Sequence, residues 1–259
     1  MLKPSIISRR AFLTAAGGLG TMLLAGCDQI TESETARGIF DSAETLNRAI
    51  QGALGPQALA AEFTEADLSP AFRANGTTEP DSELYDEISK DGFADWRLDV
   101  SGLVERPAKF SLADLRALPS RTQITRHDCV EGWSCIGKWK GARLSTLLSV
   151  AGLKSNARLI VFHCADKLPG GGFSPPVPYY ESIDLGDAFH EQTILAYDMN
   201  GKELPVAYGA PLRLRVERQL GYKHAKYIMA IEAVESFAHI GGGNGSYWAD
   251  HGYSWYAGI

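Results

Sequence analysis

The sequence is short of basic charge: 25 lysines and arginines stand against 31 acids in 259 residues, a formal net charge of -6. A surface that neutralises phosphates along a strand needs the opposite balance, so bulk electrostatics exclude a nucleic-acid partner. Long apolar runs are scarce too. The uncharged stretch Ala11–Gly26 falls short of the roughly 20 residues that span a bilayer, so no permanent transmembrane helix is expected there. Glycines cluster at Gly170 to Gly172. They lack the preceding strand and following Lys-Ser/Thr of a phosphate loop, which removes nucleotide binding. Cysteine is sparse as well, with Cys27, Cys129, Cys135 and Cys164 in the whole chain.

The N-terminus is an address. Ser8-Arg-Arg-Ala-Phe-Leu-Thr14 reads as a twin-arginine export motif, the route for proteins that fold and take up a cofactor before crossing the membrane. Leu24-Ala-Gly-Cys27 resembles a bacterial lipobox, so residues 1–27 read as a signal with Cys27 as the lipid-modified residue. Several acyl chains on one residue anchor stably. Asp28 beside it is the residue associated with inner-membrane retention, so the expected location is the periplasmic face of that membrane. Cleavage ahead of Cys27 removes three bases and no acid, leaving the mature chain at -9. Residues 28–95 hold 15 acids against four bases, a local charge of -11, whereas 96–259 hold 16 acids and 18 bases. The acidic block, with helical spacing at Leu46, Ile50, Leu54 and Leu59, reads as a tether with an N-terminal helical segment.

The chemistry concentrates between Thr125 and Gly141. Cys129 is flanked there by Arg126, Asp128 and Glu131, with Trp133 and Trp139 beyond. An apolar core strand would not carry so many charges, and a thiolate among them suits a soft metal or nucleophilic work. Cys129-Val-Glu followed by Gly132-Trp-Ser134 resembles the cysteine loop of the sulfite oxidase superfamily, and within it the protein-methionine-sulfoxide reductase branch. The resemblance implies that Cys129 is the protein ligand of a molybdenum–pterin cofactor. Where sulfite oxidases carry an arginine shortly after that cysteine, this chain has Trp133, Ser134 and Cys135.

Flanking segments follow the same order as the family. Trp96-Arg-Leu-Asp-Val100 alternates as a strand, Ser111 caps a short helix ending before Pro119, and Gly141 to Leu148 resembles the helix after the cysteine loop. Ala157 to His163 reads as a buried strand, and Asn200-Gly201 as a tight turn. Tyr179-Tyr-Glu-Ser-Ile183 matches the segment that brings a tyrosine to the family's active site, with Tyr179 in register and Tyr180 next to it. Gly209-Ala-Pro-Leu-Arg213 and Gly221-Tyr-Lys-His-Ala-Lys226 resemble the pterin-binding segment. A pterin phosphate needs converging donors, which the resemblance assigns to Arg213, Lys223, His224 and Lys226, with His127 against the pterin. The alternation of Leu212, Leu214 and Val216 with Arg213 and Arg215 also fits a half-exposed strand, which accounts for Arg215 and Arg218 without a functional role.

The expectation is an α+β fold with largely antiparallel strands and short helices, the molybdopterin-binding domain covering 96–240. An aromatic tail, 241–259, is expected to fold back on it. No segment resembles the superfamily's haem domain or its dimerising C-terminal sandwich. That implies a monomeric catalytic domain drawing electrons from a membrane cytochrome b or a periplasmic cytochrome c. The expected reaction is oxygen-atom transfer, reducing an S- or N-oxide such as a methionine sulfoxide. Cys129 is expected to bind the metal, with Glu131 and Tyr179 handling protons or substrate oxygen. Sulfite dehydrogenase is the near alternative, and a non-enzymatic lipoprotein retaining the fold the distant one. Cys135 and Cys164 either pair in the oxidising periplasm or remain buried thiols.

Overall fold

The computed structural model describes residues 42, 43, 45–50, 58–170 and 174–259. The twin-arginine motif, Cys27 and two of the three clustered glycines, Gly171 and Gly172, lie outside them. Contacts divide the chain into Met1–Ile50 and Gln51–Ile259. In the first unit the described residues are helical, and everything below concerns the second.

Two five-stranded sheets form it. Strand β1 (Arg97–Gly102) buries Leu98 and Val100 on one face, as period-two alternation requires. It lies between β2 (Ala108–Ser111), antiparallel, and β10 (Ile228–Val234), the one parallel pairing among the described strands. β5 (Leu159–Leu168) and β6 (Val177–Asp184) complete this sheet in the order β2-β1-β10-β5-β6. The second sheet runs β3 (Ser120–Asp128), β4 (Ser134–Arg143), β7 (Ile194–Met199) and β8 (Lys202–Glu203), with β9 (Arg213–Arg215) also pairing β7. Asn200 and Gly201 join β7 to β8 with φ of 51° and 78°, the left-handed geometry such a turn needs.

Helices are short, among them α1 (Glu83–Lys90), α2 (Leu112–Ala117), α3 (Leu144–Ala151), α4 (Leu185–Ala188) and α5 (Tyr247–Asp250). Ser111 caps α2 by accepting from the Asp114 backbone N–H. The architecture is mixed α+β with mostly antiparallel strands, as the sequence leads one to expect. A large apolar cluster, from Trp96 and Leu98 through Phe162 to Ile231, fills the space under the first sheet and α3. A smaller one, with Phe72, Cys135 and Trp139, lies against the second.

The packed unit begins well before Trp96, where composition alone puts the domain edge. Phe63 N–H donates to Ile124 O (2.9 Å), and Tyr208 Oη donates to Phe72 O (2.7 Å). Phe72, 8% exposed, fills a pocket against Trp139, so part of the acidic block belongs to the core. Cys135 and Cys164 are free thiols. One faces the Phe72 cluster and the other the large cluster beneath β5, which leaves them on different sheets.

Candidate active site

Strands β3 and β4 form a hairpin in which Asp128 pairs with Ser134 and His127 with Cys135. The loop between them carries Cys129. Its N–H donates to Trp133 O (2.9 Å) and its carbonyl accepts from Gly132 N–H (3.0 Å), a closed turn that needs the left-handed φ of 84° at Gly132. Cys129 is therefore held at a hairpin tip, 8% exposed, on the wall of a cavity of about 280 Å³. Burial pushes its thiol pKa up, so the free thiol keeps its proton until a metal replaces it.

Glu131, Tyr179, His224 and Lys226 line the same cavity. Glu131 sits at its rim, accepting from Trp133 Nε1 (2.8 Å) and facing Arg73 at 3.7 Å. Tyr179 is buried and donates to Tyr222 O (2.9 Å). Burial holds its pKa well above the ordinary phenol value, so it stays a donor. Its neighbour Tyr180 points elsewhere, donating to Asp250 (2.6 Å) in a second cavity. Of the two tyrosines suggested by register, Tyr179 shares the cavity with Cys129.

Behind this wall lies a group of buried nitrogens. Arg213 and Arg215 are 2% and 0% exposed, and both guanidinium groups lie over the Trp139 ring, at 4.8 and 4.5 Å. His127 and His224 meet edge to face, centroids 4.9 Å apart. Their tautomers follow from their partners. Arg215 Nη1 is only a donor, so His127 Nδ1 (2.9 Å away) accepts and the ring proton sits on Nε2. Gln219 O only accepts, so His224 Nε2 (3.1 Å) carries the proton and Nδ1 is a bare acceptor. Burial and the neighbouring Arg215 hold both histidines neutral, well below their ordinary pKa.

Three atoms of this group have no hydrogen-bond partner: His127 Nε2, His224 Nδ1 and Arg213 Nε. Two donors and one acceptor left unmet in a buried place cost free energy unless a ligand completes them. Gly221 keeps that place open. A Cβ there would lie 2.5 Å from His127 Nε2. Lys226 donates to Asn75 O (2.7 Å) and Thr77 O, and burial with Arg213 nearby lowers its pKa to about 7. Arg213 falls to about 9 through burial and its neighbour Arg215. Such mutual repulsion is relieved by an anion. A polar, anionic heteroaromatic group fits this set of donors and acceptor. Among the described residues no three His, Cys, Asp or Glu side chains gather to hold a metal unaided.

Lys223 is engaged differently. Its ammonium, 0% exposed, binds Glu181 and donates to Ser182 O (2.8 Å) under the Trp255 ring. It does not join Lys226 and His224 on the cavity wall. Sequence reasoning also passed over Arg215, Glu181 and Asp166. The alternation around Arg215 fits a half-exposed strand, yet all of β9 is buried, because both of its faces are covered. Asp166 is 4% exposed, lines the cavity, and has one carboxylate oxygen without a partner. Its signal was readable. It continues the inward phase of Phe162 and Cys164 on β5, and an acid in such a phase is out of place in a core.

The oxidoreductase molybdopterin binding domain family matches residues 86–239, and the chain belongs to it. It is accordingly a molybdopterin-dependent oxidoreductase of the sulfite oxidase superfamily. Within that superfamily it resembles the protein-methionine-sulfoxide reductases. It is 38% identical over 255 residues to the putative protein-methionine-sulfoxide reductase subunit YedZ1 of Azospira oryzae, covering 97% of this chain and 88% of that protein. Over 145 residues it is 37% identical to the protein-methionine-sulfoxide reductase catalytic subunit MsrP of Ralstonia nicotianae, 54% of this chain and 44% of that one. The crystal structure of the sulfane dehydrogenase SoxCD from Paracoccus pantotrophus aligns with 70% of this chain and 46% of its own, at 21% identity and a TM-score of 0.49.

Proposed function

We propose that this protein is an exported reductase that removes oxygen from sulfoxides, methionine sulfoxide above all, with Cys129 as the protein ligand of molybdenum. The observation that carries the reading is the cavity that joins the Cys129 thiol to Lys226 and to His224, whose Nδ1 is unmet, with the unmet donors of His127 and Arg213 in the buried group behind that wall. Arg213, Lys226, His127 and His224 would hold the molybdopterin; the bound metal supplies two-electron oxygen-atom transfer. Lys223, committed to Glu181, would act on the site through the strand that carries Tyr179.

The balance is simple. The S=O bond breaks, sulfur gains two electrons, and the oxygen leaves as water with two protons. The electrons come singly from a haem-bearing partner, a membrane cytochrome b or a periplasmic cytochrome c. Tyr179, a buried phenol that keeps its proton, would turn its O–H from Tyr222 O to the sulfoxide oxygen, and Glu131 at the solvent rim would pass protons inward. The relatives named as methionine-sulfoxide reductases support the substrate class. The twin-arginine motif and lipobox support a periplasmic, lipid-anchored protein.

The test is protein exported by its native route, assayed for molybdenum and for sulfoxide-dependent oxidation of reduced benzyl viologen. Wild type should carry about one metal per chain and Cys129→Ala almost none, with activity lower by at least about a thousandfold. Equal molybdenum in both would overturn the ligand assignment. Sulfite-dependent cytochrome c reduction without sulfoxide turnover would reverse the direction.

A further inference from the structure

We infer that the C-terminal tail supplies the substrate-selecting mouth of this site, with Trp248 and Tyr253 gripping the apolar part of a sulfoxide carried on a polypeptide. The inference rests on the proposed sulfoxide reductase function and names what that site recognises.

Aromatic contacts close a circuit around the cavity. Tyr179 meets Tyr247 (5.8 Å), Tyr247 meets Trp248 (5.1 Å), Trp248 meets Tyr253 (4.9 Å), and Tyr253 meets Tyr222 (5.4 Å). Tyr179 Oη donates back to Tyr222 O. Tyr179, Tyr222, Trp248 and Tyr253 all line the cavity of Cys129. Tyr253 is 39% exposed and Val130, beside the cysteine, 48%, so the cavity reaches solvent at Tyr253 and beside Cys129.

The tail is fastened by other residues. Trp255 Nε1 donates to Ser182 Oγ (2.8 Å), Tyr247 Oη to Pro169 O (2.7 Å), and Tyr180 Oη to Asp250 (2.6 Å). Trp248 and Tyr253 therefore present ring surface to the cavity on a segment held in place by its neighbours. Rings arranged so offer apolar area and favourable edges to a thioether sulfur and its methyl group. They offer little to a small, strongly hydrated sulfoxide. The ligand class is a methionine-type side chain of a polypeptide, presented to the cavity that Cys129 lines.

The experiment compares two sulfoxides on molybdenum-loaded protein, with reduced benzyl viologen as electron donor: a methionine-sulfoxide peptide and dimethyl sulfoxide. In Trp248→Ala and Tyr253→Ala the ratio of kcat/KM for peptide over dimethyl sulfoxide should fall about tenfold, through KM. Trp248→Phe should restore most of it. Molybdenum content should match wild type in all three, and quenching of tryptophan fluorescence by the reduced methionine peptide should weaken in step with KM in Tyr253→Ala. An active wild type whose ratio is unmoved in both alanine variants overturns the inference and leaves the proposed function standing. A metal-loaded wild type that reduces neither sulfoxide overturns both. Should Trp248→Ala lose metal or fold, the solvent-exposed Tyr253→Ala decides alone.

Discussion

Two groups of charge are buried in this fold, and they are built on opposite plans. Lys223 and Glu181, both 0% exposed, pair in opposite charge beside Ser182 and Trp255, with only the second Glu181 oxygen, Oε2, left without a partner. Arg213 and Lys226 repel each other beside the neutral His127 and His224, and three atoms of this group are unmet. Arg215 stands at the edge of the second group but is neutralised by Glu217, to which its Nε donates at 2.8 Å. Opposite charges paired in burial hold the structure together; like charges beside unmet nitrogens store affinity for an anion. The difference decides what each residue should do when removed.

Breaking the pair has the largest expected effect on stability. Lys223→Met leaves Glu181 buried without its cation, which costs about 3–5 kcal/mol and a melting temperature drop on the order of 10 °C. Differential scanning calorimetry of cofactor-free protein reads this directly. A drop under a few degrees would mean that Glu181 finds water or another donor, and the contrast between the groups would dissolve.

Removing a cation from the cluster should do the reverse. Lys226→Gln loses bonds to two backbone carbonyls but also relieves repulsion, so cofactor-free stability should move by less than about 1 kcal/mol. Arg213→Gln should likewise cost cofactor before it costs fold, although its packing on Trp139 adds some loss. Molybdenum per chain should fall severalfold in both. A variant that keeps full metal yet melts much lower would move that residue from the cluster to the scaffold.

The segments that carry the site were legible in the sequence, and the division between the two groups was not, for a physical cause. The Cys129 loop, the tyrosine strand and the basic run are recognised by their resemblance to the superfamily's segments, and the α2 cap and the Asn200-Gly201 turn read directly from residue preference. The inward face of β3 was not readable, because Gln123, Thr125 and His127 occupy it where apolar residues would mark a core. Those polar groups are buried to meet Arg215 and Glu217, for example through Gln123 Nε2 on Glu217 (2.8 Å). Only tertiary pairing across some ninety positions explains them. Lys223 and Lys226 look alike in sequence for the same reason. What separates them is the acid on β6 that reaches one and not the other.

The pH dependence of stability separates the two groups by sign. Glu181 has its pKa raised from 4.5 to about 7, chiefly by burial, against the pull of Lys223. Between those values the folded state binds the extra proton, so its contribution to stability falls as pH rises from about 4.5 to 7. Lys226 is depressed from 10.5 to about 7, so the unfolded chain binds the extra proton and stability rises between about 7 and 10.5. Cofactor-free protein should therefore lose the Glu181 contribution on the acid side of neutrality and gain the Lys226 contribution on the alkaline side. Glu181→Gln should flatten only the first limb, and Lys226→Gln only the second, each read from urea midpoints across pH. An anion at the cluster reverses the second limb. It favours charged Lys226, so pyrophosphate should bind more weakly as pH rises above 7, by at most about tenfold per unit. A pyrophosphate affinity that ignores pH in wild type, or keeps its slope in Lys226→Gln, would assign the proton to another group and end the distinction at Lys226.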